Sequence, residues 1–308
     1  MHARRASVVA ALVALVATGC TGPASPTGDA AAGPTTTGDG ASATVAAPED
    51  VDAPAGIVRL QGCEPRSLLP SDAARRCGQQ VVEGLFSTLI ELDPRDGTPR
   101  WGLAEDGAVA ASISSIDARR WVVELEDGWT FHDGTPVTAA SFVDAWNFAA
   151  YGPNGQANAF LFEPIVGFAD LHCPEPGCEP TDTTLDGLRA VDDTTIEVVL
   201  RRPDRTFPRR LGHLAFAPLP PAALEDPEAF GEAPVGNGPF RMEGVWVHEQ
   251  RISLRAVEGH PSGDAAVRGV DVLLYGDLVR ARTDLAEGRL DVATALPPDA
   301  PPLGRGHR

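Results

Sequence analysis

The side chains most suited to catalysis lie in the stretch WTFHDGTPVTAASFVDAWNFA, residues 129–149. His132 and Asp133 could act as a base and the carboxylate that orients it. Adjacent residues at a turn point in different directions, however, and no nucleophile motif such as G-x-S-x-G accompanies them. We therefore interpret the pair as an Asp-Gly turn that carries a surface histidine, and we expect His132→Ala to fold and behave like the parent.

Two further motifs could in principle hold phosphate or metal. Gly236-Asn237-Gly238 lacks the lysine and the long spacing of a P-loop, and Pro239 removes a backbone donor. The aspartates in the turns between residues 182 and 193 are too widely spaced for a calcium loop. We expect no enzymatic activity, no metal and no cofactor.

Four of the five cysteines lie beyond residue 60 and point to an oxidising compartment. Three connectivities are open to them, and proximity along the chain favours Cys63–Cys77 and Cys173–Cys178. His172, next to the third of these cysteines, makes zinc an alternative, but the sulfurs lack the paired C-x-x-C spacing of zinc sites.

The N-terminus predicts export. Arg4 and Arg5 precede an apolar run over residues 8–16, and small residues follow up to Cys20. This order indicates a signal peptide over residues 1–19 and resembles a bacterial lipobox, with Cys20 as the lipidation site. A plain signal peptide with an incidental cysteine is the alternative. Residues 20–55 are rich in Thr, Ala, Gly, Ser and Pro and should form a disordered tether.

The charge argues against nucleic acid as a partner. The net charge is -18, and removal of the two signal-peptide arginines makes it about -20 (-18 minus 2). Phosphates would be repelled by such a surface.

Hydrophobic periodicity predicts a mixture of strands and helices in the remainder. Alternation predicts a strand over 120–126, and Thr138 is a suitable N-cap for the helix that follows. The other expected elements are strands at 57–60, 195–200, 251–256, 270–275 and 290–295 and helices at 79–89 and 277–287. This order favours an α/β lobe with a β-rich insertion.

Several stretches, in order, resemble the landmarks of the family-five extracellular solute-binding proteins. They are GLFSTLIELDP, WTFHDGTPVTAASFVDAWNFA, LRAVDDTTIEVVLRRP, APLPPAAL and PVGNGPFRMEGV, within a match from Ile57 to Pro297. Family members are the dipeptide-, oligopeptide- and nickel-binding components of ABC importers. The family usually has Thr where Asn237 stands.

The resemblance implies an α/β fold, the first lobe of a periplasmic-binding-protein type II-like architecture with an inserted β-rich subdomain. On this chain, residues 56–90 and 187–275 would form the first-lobe sheet and residues 91–186 the inserted subdomain. Residues 276–308 would begin the crossover to a second lobe. The implied ligand-binding residues, on two segments at the cleft, are Ser71, Asp72, Ala73, Ala74, Asn158 and Phe160.

Family members are typically longer, and we expect the second lobe to be missing from these 308 residues. One lobe contacts a solute from one side only, so we expect weak or no solute affinity for this polypeptide alone. The expected function is a monomeric solute-binding lipoprotein for peptides or similar small solutes, on the outer face of the bacterial cell membrane. Its partners would be the permease and ATPase subunits of an ABC importer. The alternatives are a cell-surface interaction or scaffold module and, third, an envelope hydrolase.

Overall fold

The computed structural model describes residues 56–93, 95–102, 107–173 and 178–298. The predicted signal peptide, the tether, Cys20 and the last ten residues lie outside the described ranges. The strands are β1 Ile57–Gly62, β2 Glu91–Leu92, β3 Pro99–Arg100, β4 Ala110–Ser115, β5 Arg120–Leu125, β6 Leu188–Ala190, β7 Thr195–Val199, β8 Phe240–Met242, β9 Arg251–Ala256 and β10 Gly269–Leu274.

The helices are mostly short. The α-helices are α1 Arg76–Leu85, α2 Ala139–Ala150, α3 Phe168–His172, α4 Phe207–Arg210, α5 Pro221–Glu225, α6 Pro227–Glu232 and α7 Leu278–Ala286. Single 3-10 turns form at Gly152–Asn154, Ala159–Phe162 and Leu214–Phe216. Within the described residues, none of these helices has both the length and the apolar character needed to cross a membrane.

The first sheet has the order β1-β10-β9-β8 and joins the two ends of the described chain. β1 pairs with β10 in parallel, with Leu60 opposite Val272, and the other pairs are antiparallel. Helix α1 packs against this sheet, and a Cβ at Gly84 would make ordinary contact with Leu254 at 3.4 Å. The predicted strand at 290–295 forms only a parallel bridge, in which Val292 lies beside Leu60 at the free edge of β1.

The second sheet is antiparallel, with the order β4-β5-β7-β6. We expected residues 187–275 to belong to the first-lobe sheet. Within that range, however, β7 pairs with β5 and β6 pairs with β7, and neither pairs with the first sheet. The register explains this difference. Trp121 lies opposite Val198 and Val123 opposite Ile196, so the buried sides of both strands face the same core.

Helix α2 fills the space over the second sheet, as its periodicity predicts. The Ser141 hydroxyl accepts a hydrogen bond from the backbone N–H of Thr138 at 3.1 Å, which caps the first turn. Trp146 is fully buried, and its indole N–H donates to the carbonyl oxygen of Phe216 at 3.1 Å. Residues of both sheets belong to one continuous hydrophobic core, so the sheets hold each other in place.

Both favoured disulfides are present, Cys63–Cys77 and Cys173–Cys178. The first closes a loop of 14 residues between the end of β1 and the first turn of α1. In the chain-entropy description, a loop of this length contributes about 3 kcal/mol by restricting the unfolded chain.

Candidate functional site

The loop after Leu69 is fixed at its base by the core. Leu68 and Leu69 are buried, and the backbone N–H groups of Asp72 and Ala73 both donate to the carbonyl oxygen of Leu69 at 3.0 Å. The same loop lies within the ring closed by the Cys63–Cys77 disulfide. Residues 71–74 therefore form a tight turn that the buried leucines, the backbone hydrogen bonds and the disulfide hold in place.

This loop meets a second segment, residues 156–160, that leaves the end of α2. The Ser71 hydroxyl donates to Oε1 of Gln156 at 2.7 Å, and the backbone N–H of Asn158 donates to the carbonyl oxygen of Ser71 at 3.1 Å. A weaker contact of 3.4 Å joins the N–H of Ala157 to a carboxylate oxygen of Asp72. We call residues 71–74 and 156–160 together the junction.

The structure thus brings the two predicted segments together, although their binding role stays a prediction. The six residues differ in accessibility: Ser71, Ala73 and Asn158 are buried, Asp72 is half-buried, and Ala74 and Phe160 are exposed.

Asn158 carries the most informative group in the junction. Its side chain is 5% exposed, and its amide Nδ2 finds no hydrogen-bond partner among the described residues. A buried donor without an acceptor costs about 1–3 kcal/mol. Phe160, two residues further on, is 63% exposed. The junction therefore combines a buried donor that lacks a partner among the described residues with an exposed apolar ring.

The interpretation of His132 as a surface histidine is wrong. Its side chain is half-buried, Nε2 donates to the carbonyl oxygen of Gly238 at 2.9 Å, and its backbone N–H donates to that of Gly236 at 2.8 Å. Burial lowers the pKa of His132. The residues next to His132 in the sequence do not predict its burial, because the carbonyl groups that contact it belong to a loop more than 100 residues away in sequence.

That loop, Gly236-Asn237-Gly238, is a structural connector. Asn237 is 1% exposed, and its amide makes paired hydrogen bonds with the backbone of Ser87, accepting from N–H at 3.1 Å and donating to C=O at 3.2 Å. A Cβ at Gly236 would lie 1.8 Å from the carbonyl oxygen of Leu85, which only glycine avoids. The close approach leaves no room for a phosphate between the loop and helix α1.

A second histidine, His260, is buried and completes this connector. His260 Nε2 donates to the carbonyl oxygen of Asn237 at 3.0 Å, and its ring meets the Trp129 ring edge-on at 5.2 Å. Burial lowers the pKa of His260 as well. The sequence analysis gave this histidine no role, and its nearest partners lie on distant segments.

The described residues contain no group of three or more His, Cys, Asp or Glu side chains arranged to hold a metal ion.

Solved structures share this fold. The match to OppA from Burkholderia pseudomallei has a TM-score of 0.65 at 24% identity and covers 78% of this chain and 46% of that one. OppA from Haemophilus influenzae, in complex with RPPGFSPFR, gives a TM-score of 0.67 at 21% identity over 79% of this chain and 47% of that one. The architecture is therefore of the periplasmic-binding-protein type II class, as the resemblance implied.

Residues 103–306 match the family of bacterial extracellular solute-binding proteins, family 5 middle, and the chain belongs to that family. A curated relative, the periplasmic oligopeptide-binding protein OppA of Escherichia coli, is 33% identical over 221 residues, which are 66% of this chain and 37% of the relative. The chain thus spans less than half the length of each of these three proteins.

Proposed function

We propose that this protein is the extracytoplasmic solute-binding component of an ABC importer, and that its solute is a peptide or a similar small molecule. Family membership supports the class, and the relatives named for oligopeptide binding support the solute. The protein would catalyse no reaction, and transport energy would come from the ATPase subunits through their permease.

The observation that carries the solute assignment is the buried amide of Asn158 at the junction. An extended peptide exposes carbonyl oxygens along its length. Nδ2 of Asn158 is buried and has no partner among the described residues, so the Asn158 side chain would turn outward to donate to one of these oxygens. Phe160, two residues further along the chain, is largely exposed and can pack against a side chain of the solute. A uniformly charged surface, as expected for a scaffold module, does not describe the junction.

The anchoring and the domain division belong to the same proposal. We infer that the signal peptide is removed before Cys20, that lipid on Cys20 holds the protein at the outer face of the membrane, and that residues 20–55 act as the tether. Residues 56–93 and 240–274 would form the first-lobe sheet, and residues 110–199 with the second sheet would form the inserted subdomain. The protein would act as a monomer.

Residues 1–308 alone should bind a peptide weakly, with a dissociation constant on the order of 1 mM. The junction contacts a solute from one side, whereas type II binding proteins bury most of the solute between two lobes. Nuclear magnetic resonance titration of the labelled chain with RPPGFSPFR tests this directly. The proposal predicts shifts at the amides of the junction, and micromolar affinity with the peptide enclosed by this chain alone would contradict it.

Two substitutions separate binding from stability. Asn158→Leu removes the donor without breaking any side-chain hydrogen bond of the described residues, so stability should be kept while affinity falls about 2- to 10-fold. Phe160→Ser should also weaken binding. Val245→Ser, which truncates another exposed apolar side chain outside the junction, is the matched control and should bind like the parent.

A further inference from the structure

A strongly basic segment stands out in this acidic chain. Residues 201–210, RRPDRTFPRR, contain five arginines and one aspartate, a local charge of +4 (5 minus 1) in a protein with a net charge of -18. The proposed solute site and the connector loop use none of these residues. Their concentration in one exposed segment therefore calls for a separate explanation.

The fold places this segment beside the tip of the β4–β5 hairpin. The backbone N–H of Leu200 donates to the carbonyl oxygen of Arg119, and that of Asp204 donates to the carbonyl oxygen of Ala118, both at 2.8 Å. Beneath them, the rings of Trp121 and Phe207 lie 6.0 Å apart and tie the two segments together. We call residues 115–120 and 201–210 together the arginine face.

Some charges of this face are neutralised locally. Arg201 pairs with Glu163 at 2.7 Å, and Arg120 pairs with Glu197 at 2.9 Å. Ion pairs this exposed contribute little to stability, typically about 0–1 kcal/mol. Stability of the fold therefore does not account for the concentration of arginines.

Arg202 and Arg205 are different, because both are exposed and neither pairs with a carboxylate in the described part of the chain. Arg119 is also exposed, and it uses Nε for the carbonyl oxygen of Leu200 at 3.0 Å. The face therefore presents guanidinium groups that are available to an anionic partner.

An apolar side chain projects from the same face. Ile116 is fully exposed, at 101%, at the hairpin tip. The tip is held in shape by Ala118, whose backbone is left-handed at φ 59° and whose carbonyl oxygen also accepts from the Trp121 indole at 3.2 Å. A protruding aliphatic residue next to exposed arginines fits a surface with negative charge outside and hydrocarbon just beneath.

We propose that the arginine face contacts the anionic headgroups of a lipid membrane, with Ile116 reaching the boundary of the acyl chains. Each arginine near an anionic lipid surface contributes about 1 kcal/mol, and the attraction falls off within a Debye length of about 8 Å at 0.15 M salt. The net acidic remainder of the chain is repelled by the same lipids, which favours approach through this face. The contact would orient the protein on the membrane.

Vesicle sedimentation with the full chain tests the proposal. The chain should bind vesicles of phosphatidylglycerol mixed with phosphatidylcholine more strongly than pure phosphatidylcholine, and about 1 M salt should weaken that binding. Replacing Arg202 and Arg205 together with Gln should reduce partitioning about 30-fold, the equivalent of about 2 kcal/mol. Ile116→Ser should also reduce it.

The matched control replaces Arg241 and Arg251 together with Gln, because both are exposed on the first sheet and the same charge is lost. This variant should partition like the parent. The proposal is overturned if phosphatidylglycerol gives no preference, or if both double variants lose binding equally. It is also overturned if the face binds an immobilised acidic protein but not the vesicles.

Discussion

Replacing Asn237 with alanine should destabilise the protein, because its side-chain amide pairs with a buried stretch of backbone. The amide bridges the N–H and C=O of Ser87, at 3.1 and 3.2 Å, in a place where Asn237 is 1% and Ser87 7% exposed. Alanine leaves both backbone groups buried without partners and with little access to water.

The magnitude follows from these two groups. Each buried donor or acceptor left unsatisfied costs about 1–3 kcal/mol, so the free energy of unfolding should fall by about 2–5 kcal/mol. For a domain of this size, about 3 kcal/mol lowers the melting temperature by about 6–12 °C. Asn237→Asp should also destabilise, because a carboxylate accepts from the Ser87 N–H but repels the Ser87 carbonyl oxygen.

Denaturant unfolding of the parent and the variants measures this loss as a shifted midpoint at unchanged slope. Asn154→Ala is the matched control. Its amide makes one hydrogen bond, to the carbonyl oxygen of Phe148 at 2.8 Å, and it is only part-buried, so the loss should stay below about 1.5 kcal/mol. If Asn237→Ala unfolds within about 0.5 kcal/mol of the parent, the paired hydrogen bonds do not hold the connector loop.

Three further outcomes are expected. Gly236→Ala should prevent stable folding, because its Cβ would lie 1.8 Å from a backbone carbonyl oxygen of α1, and soluble yield with circular dichroism reports this. Burial lowers the pKa of His132 and His260, so their contribution to stability is fully present above the unfolded pKa of about 6.5 and is lost as the pH falls through the folded pKa. The free energy of unfolding, measured between about pH 7.5 and 5, should therefore fall with pH, and it should fall less steeply in His260→Gln. Reduction of Cys63–Cys77 should cost about 3 kcal/mol, and an unchanged midpoint in reductant would contradict the loop-closure argument.

Local sequence patterns predicted the elements well where one face of an element is buried. The alternation of β5 and the periodicity of α2 correspond to Trp121, Val123 and Trp146 inside a shared core. The strand pairings were harder to predict, because the alternation of apolar residues in β7 is compatible with either sheet. The burial of His132 depended on carbonyl oxygens far along the chain and had no local signal.

The candidate site was predicted through the family resemblance rather than through local chemistry. The structure added the hydrogen bonds between Ser71, Gln156 and Asn158 that join the two segments. No sequence pattern marks the Nδ2 of Asn158 as a donor without a partner, because hydrogen-bond satisfaction is a property of the assembled core.

Amide hydrogen exchange of the full chain, with and without saturating peptide, tests the solute assignment most directly. We predict slower exchange at residues 71–74 and 156–160 when peptide is present, and no change at the arginine face. Detectable peptide binding with no protection at the junction, or with protection confined to other segments, would contradict the account.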